Sequence, residues 1–367
     1  MIPAFPDCRR GLGVGGWLTN YKRFNVLPPE WRLRFTAGDF EHFRTYIGEA
    51  DVERIAALGA DHVRLGFDQI VLEERPGVFR TEILDLLDRF AGWCDARGLG
   101  LVLNLHKAVG NYCDVEEPVA LLDDAALQDR FVALWEGLAR RFAGRPGVAF
   151  ELLNEVRDVD PAKWNALAAR TVAALRRLDP GRWIVVGPTC WNNPWALPRM
   201  AVLDDPRVAY AFHCYEPSAF THQRGVLQPA HCFYNRDMPY PGDPERYRDH
   251  ARETGRDPHR FDGFDEIGRA FLADVLRDAF AWRDAHPDRI LWCGEFGTIR
   301  HARLAWREAW MEDLVSLLDE HGLPWCAWNY LSTPNDGNRF SLVDDDTREI
   351  LSPRFAALFR RPAPPAP

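Results

Sequence analysis

Short apolar runs, bounded by glycine, proline and polar clusters, alternate along this chain with longer stretches in which apolar residues recur every three or four positions. The runs at 12–18, 62–67, 100–105, 148–153, 183–187, 208–212, 290–293 and 324–328 predict strands. The stretches at 82–97, 127–142, 164–178, 271–286 and 304–321 predict amphipathic helices. In the first of these, Ile83, Leu86, Leu87, Phe90 and Cys94 share one face, and Gly98 stands where a glycine can end the helix.

Repeated strand–helix units predict a parallel sheet, and eight of them close into a (β/α)8 TIM barrel because parallel neighbours need right-handed crossovers. An open doubly wound sheet is the alternative. It is disfavoured because GLGVGG at 11–16 lacks the following helix and the acidic partner of a dinucleotide-binding turn. No linker or composition break divides residues 1–367, so the chain reads as a single catalytic domain. The connector at 216–265 is far longer than an ordinary loop. Its Phe220, His222, Phe233, Tyr234, Tyr240 and Tyr247 predict an ordered lid over the barrel mouth.

Composition narrows the function. A net charge of −9 without any Lys/Arg run argues against a nucleic-acid partner. No stretch approaches the roughly 18 apolar residues of a membrane span, so no membrane partner is expected. The opening MIPAFPDCRRG lacks an apolar leader core, which predicts a cytoplasmic protein, or a secreted one if a leader has been removed. The eight cysteines form no CxxC pair, and neither HExxH nor HxH occurs, so buried thiols are expected and no metal or cofactor. The fourteen tryptophans suit stacking on sugar rings as well as core packing.

In such a barrel the reacting groups stand at the C-terminal ends of the strands. FELLNE places Asn154 and Glu155 there on the fourth strand, and GEFG places Glu295 there on the seventh. Two carboxylates facing each other at roughly 5 Å are the usual means of cleaving a glycosidic bond with retention.

The motifs GLGVGGWL, HVRLGF, LNLH, FELLNE, FHCYEP, GEFG and CAWNY, in this order, resemble the strand-end motifs of glycoside hydrolase family 5, the cellulase-type barrel glycosidases. The resemblance spans nearly the whole chain. It implies Glu155 as general acid/base and Glu295 as nucleophile, with Arg64, His106, Asn154, His213, Tyr215 and Trp328 as the supporting and substrate-binding shell. Two departures stand out: Lys107 follows His106 where a small or acidic residue is common, and the first strand lacks the frequent asparagine.

Each residue also has a plainer role to set beside these. Arg64 could be a salt-bridged interior arginine, and His106 and His213 could be hydrogen-bonded core histidines. Trp17, Trp191 and Trp195 divide evenly between core and sugar subsite. Asp336 and Asn338 read first as turn residues and second as subsite contacts, while His222 and His231 read as surface histidines. Lys107 is a further candidate subsite residue. The expected activity is hydrolysis of a β-glucan or related polysaccharide, a β-1,4-glucan first, by double displacement on a carbohydrate substrate without cofactor. An exo-acting β-glycosidase or a β-mannanase of the same family is the alternative. A metal-dependent barrel hydrolase would need more strand-end ligands than His106 and His213, and a non-catalytic carbohydrate-binding barrel would not need both carboxylates.

Overall fold

The computed structural model describes residues 7–19, 34–113, 117–333 and 337–360. Eight parallel strands form a closed barrel: β1 (Arg10–Leu18), β2 (His62–Asp68), β3 (Gly100–Lys107), β4 (Val148–Glu151), β5 (Ile184–Val186), β6 (Val208–Cys214), β7 (Ile290–Phe296) and β8 (Trp325–Ala327). They pair in chain order, and β1 closes on β8 with Arg10 opposite Trp325. All eight expected strands are present, with shifted ends. Strand β7 runs on through Glu295, whereas β4 stops at Glu151 so that the chain can turn outward before Asn154.

The helices follow from simple local chemistry. Thr81–Ala96 buries Ile83, Leu86, Leu87, Phe90, Ala91 and Cys94, one apolar stripe at helical spacing. Gly98 beyond it has φ +68, a conformation glycine adopts without steric cost. Ala125–Arg141 begins at Asp124, whose carboxylate accepts from the backbone N–H of Ala126 and Leu127. Pro161–Leu178 is capped in the same way by Asp160, with proline at its first position. The helix expected over 271–286 is instead two, Arg269–Val275 and Arg277–Ala285, broken at Leu276. The apolar periodicity runs unbroken through that joint, since Leu272, Val275, Leu276 and Ala279 are all buried.

Trp17 belongs to the core and not to a sugar subsite. Its ring is fully buried, packs 5.3 Å from Phe90, and donates its indole N–H to the Phe43 carbonyl at 2.6 Å. Glycines on the same strand do a different job: a Cβ at Gly13 or Gly15 would lie 2.8 or 2.4 Å from the Trp328 ring. The glycine-rich β1 is therefore a seat for that indole.

The 216–265 segment carries the helices Ser218–Thr221, Pro229–Tyr234 and Pro244–Glu253 and a 3-10 turn at Pro258–Phe261. It is knit to the loops after β7 and β8. Ile299 N donates to Thr221 O at 2.9 Å, Leu227 N donates to the Asn338 side chain at 3.0 Å, and His222 packs on Phe340 at 5.0 Å. His222 and His231, expected on the surface, are buried, because Phe340, Tyr215 and His250 surround them. Of the eight cysteines, which are all free thiols, six are buried. Among the described residues no helix is long and apolar enough to cross a membrane.

Two outcomes follow from this packing. Trp17→Ala should lower unfolding free energy by about 3–5 kcal/mol in urea titrations, while a subsite tryptophan would raise KM and leave stability alone. Burial pushes His222 down to about 3 from the usual 6.5, and lowers His231 and His250 as well. Below pH ~6.5 the unfolded chain takes up protons that these folded imidazoles refuse. The stabilisation is therefore complete above about pH 6.5 and is lost as pH falls toward 3. The Tm should drop across that window, and His222→Gln should flatten the drop; an unchanged slope would contradict it.

Candidate active site

Arg64, rising from β2 into the barrel interior, is fully buried and touches three acceptors. Its Nε donates to Glu151 Oε2 at 2.6 Å and Nη2 to Glu151 Oε1 at 2.8 Å, a two-point ion pair. Nη2 also donates to Asn154 Oδ1 at 2.8 Å, and Nη1 donates to Glu295 Oε1. Burial alone would lower the guanidinium's affinity for its proton, but Glu151 and Glu295 outweigh that and raise it above the ordinary value. Arg64 is thus a salt-bridged interior arginine and a partner of the strand-seven carboxylate at once.

Glu295 has a second donor. The Tyr215 hydroxyl reaches Glu295 Oε2 at 2.8 Å, and burial followed by the charges of Glu295 and Glu155 pushes the phenol well above its usual range, so it stays a donor. Glu155 stands just past β4 with φ +30, an uncommon backbone position for a residue with a side chain. Its Oε1 lies 2.8 Å from His213 Nδ1, while the same nitrogen is 3.8 Å from Glu295 Oε2. Burial lowers His213 to about 4, against the raising influence of Glu295, so the ring is neutral near pH 7. One oxygen of Glu155, one of Glu295 and a ring nitrogen of His213 all lie within 4.8 Å of one another.

Trp328, just beyond β8, lies parallel to His106 with ring centroids 5.4 Å apart and an interplanar angle of 6°. His106 is held by Asn104 Oδ1 at 3.0 Å. Burial, then the charges of Lys107 and Arg64, keep His106 well below its usual pKa. Arg64 sits 6.0 Å from the Trp328 ring centroid. The sequence-predicted Arg64, His106, Asn154, Glu155, His213, Tyr215, Glu295 and Trp328 therefore converge at one end of the barrel.

The remaining candidates fall elsewhere. Lys107 is buried at the end of β3, in register with Asp68. Trp191 is 38% exposed and its backbone N–H donates to Val156 O, next to Glu155. Trp195 is exposed under Arg199, 5.1 Å from its ring centroid. The Asn338 side chain is taken up by the Leu227 backbone, and Asp336 lies outside the described residues. Sequence reasoning missed Glu151 and Asn192. A glutamate inside the apolar FELL run was the signal for the first, since a carboxylate there requires a buried cation.

A second convergence of Cys8, Asp61 and His62 lies at the opposite, N-terminal ends of the strands. There Asp61 already accepts from the backbone N–H of Arg9 and Arg10 and pairs with His62 at 2.5 Å, a clamp on the start of β1.

Residues 31–333 match the cellulase family, glycosyl hydrolase family 5. The chain belongs to that family. Endoglucanase C of Acetivibrio thermocellus is 34% identical over 96% of this chain and 98% of its own length. Cellodextrinase A of Ruminococcus flavefaciens is 28% identical over 86% of this chain and 83% of its own. Among solved structures, Thermotoga maritima Cel5A, determined with cellobiose and with mannotriose, superposes with a TM-score of 0.72 at 21% identity over 96% of this chain and 97% of that one. The protein is a family 5 glycoside hydrolase, and its barrel is the family fold.

In this family 5 enzyme the buried Arg64–Glu151 pair gives a direct stability test. Glu151→Ala strands a buried guanidinium on its remaining partners and should cost about 3–5 kcal/mol. Denaturant unfolding monitored by tryptophan fluorescence measures it, and a change below about 1 kcal/mol would contradict the pairing.

Proposed function

We propose that this enzyme hydrolyses β-1,4-linked glucan chains by double displacement, with Glu295 as nucleophile and Glu155 as general acid/base. The observation that carries the reading is the spacing of the two carboxylates. Oxygens within 4.8 Å leave room for an anomeric carbon and its leaving oxygen, but not for an intervening attacking water.

In the first step a Glu295 oxygen bonds to the anomeric carbon as the glycosidic C–O bond breaks, and Glu155 gives its proton to the departing oxygen. Arg64 and Tyr215, both donating to Glu295, fix the direction of attack. In the second step water attacks the same carbon, Glu155 takes the water's proton, and Glu295 leaves. The two carboxylates have distinct neighbours, which suits distinct roles: Glu295 faces a guanidinium and a phenol, Glu155 a neutral imidazole. Trp328, seated over Gly13 and Gly15, offers a ring face for the sugar at the cleavage point.

The β-1,4-glucan preference rests on endoglucanase C and cellodextrinase A as relatives. Mannotriose in Thermotoga maritima Cel5A makes β-mannan the second substrate to try. The 216–265 segment, tied to the loops after β7 and β8, is read as a wall of the cleft that favours short chains and chain ends.

Glu155→Gln and Glu295→Gln should each lower kcat on cellotetraose by at least about 10³-fold with unchanged circular dichroism. Near wild-type turnover by either variant would refute that residue's role. On soluble β-glucan, reducing ends should accumulate with little early loss of viscosity; a rapid viscosity fall with few ends released would refute the wall.

A further inference from the structure

Three consecutive residues after β5, Cys190, Trp191 and Asn192, have φ of +60, +55 and +55. Each side-chain-bearing residue in that region is sterically strained, so a run of three persists only where its surroundings impose it. The surroundings are visible. Cys190 N and Trp191 N donate to the carbonyls of Arg157 and Val156 at 3.2 and 2.9 Å, which ties the turn to the residues after Glu155. Asn192 O accepts from His213 N at 2.7 Å, which ties it to β6.

The result of this turn is the placement of one amide. The Asn192 side chain is completely buried against the end of β5, where a Cβ on Gly187 would fall 2.5 Å from its Oδ1. Its Nδ2 lies 3.3 Å from His213 Nε2. Its Oδ1 has no hydrogen-bond partner among the described residues, an unfavourable state for a buried acceptor. Strain and an unmet carbonyl are both tolerated to aim N–H at an imidazole.

An amide nitrogen can only donate, so the ring nitrogen it faces must offer a lone pair. A neutral imidazole has one N–H and one lone pair, and with the lone pair at Nε2 the proton sits on Nδ1. Nδ1 is the atom 2.8 Å from Glu155 Oε1. We propose that Asn192 is a positioning residue that fixes His213 as the Nδ1–H tautomer, so that His213 donates to Glu155 Oε1 and the catalytic proton is kept on the other carboxyl oxygen, free to reach the leaving group. In the opposite tautomer Nδ1 would accept that proton from Glu155 and hold it away from the glycosidic oxygen. The inference rests on Glu155 being the acid/base of the proposed function.

Nitrogen–proton long-range correlation spectra of the histidine-labelled whole enzyme near neutral pH read the tautomer directly, with His213 assigned by difference against His213→Gln. A proton on Nδ1 is expected, and a proton on Nε2 overturns the proposal whatever Glu155 does. Kinetics give the second readout. Asn192→Asp offers only acceptors to Nε2, draws the ring proton there and inverts the tautomer. For aryl cellobiosides with poor leaving groups, kcat/KM should fall by at least about tenfold, as expected for impaired acid catalysis. For the dinitrophenyl cellobioside, whose leaving group needs no proton, it should fall less than about threefold. Equal losses on both would make Asn192 merely structural and overturn the proposal. If Glu155→Ala itself showed no dependence on the leaving group, the acid/base reading would have failed instead. Should Asn192→Asp not fold, the wild-type spectrum still decides.

Discussion

A guanidinium as deeply buried as that of Arg64 must be neutralised and hydrogen-bonded on nearly every side, and the barrel end is built to meet that demand. Glu151 supplies a two-point pair, Asn154 a carbonyl oxygen and Glu295 a second carboxylate, drawn from β4, the turn beyond it and β7. One positive charge thus links strands on different sides of the barrel. Removing it would leave two buried carboxylates without that counter-ion, a larger penalty than the loss of any one hydrogen bond. The same contact that stabilises the interior therefore also orients the group assigned to attack the sugar.

Around this centre the two glutamates are distinguished by what they touch. Glu295 is gripped from two sides, by Arg64 and Tyr215, which suits a nucleophile that must keep one direction. Glu155 meets the His213 imidazole at 2.8 Å, and it stands at the rim on a turn with positive φ. The imidazole between them is 2.8 Å from one and 3.8 Å from the other. The turn at 190–192 brings the Asn192 amide nitrogen to 3.3 Å from the far ring nitrogen of that imidazole.

Much of this was legible in the amino-acid sequence. Apolar runs located all eight strands, because a strand buried inside a barrel shows its character over four or five residues. Most of the residues that converge on Arg64 and Trp328 could be named because each sits in a short motif at a strand end; Glu151, inside the apolar FELL run, could not. What escaped depended on contacts far apart in the chain. Trp17 beside glycines suits core and sugar subsite equally, and only its contacts with Phe43 and Phe90 place it in the core. His222 and His231 look like loop histidines, yet the 216–265 segment folds back on Tyr215 and Phe340 and buries them. Asn192 lies in a loop with no motif, and only its contact with His213 gives it meaning. The break at Leu276 leaves no gap in the apolar periodicity, so periodicity could not reveal it.

Trapping the covalent intermediate shows whether Glu295 is the group that attacks the anomeric carbon. A fluorine at the sugar 2-position destabilises the electron-poor transition state, and an activated leaving group lets the first step outrun the second. Incubating the enzyme with such a 2-fluoro cellobioside, digesting it and sequencing the labelled peptide by mass spectrometry locates the bond. One added fluorosugar is expected, on Glu295 within LWCGEFG. A sugar on Glu155, or time-dependent inactivation with no covalent label, would contradict it.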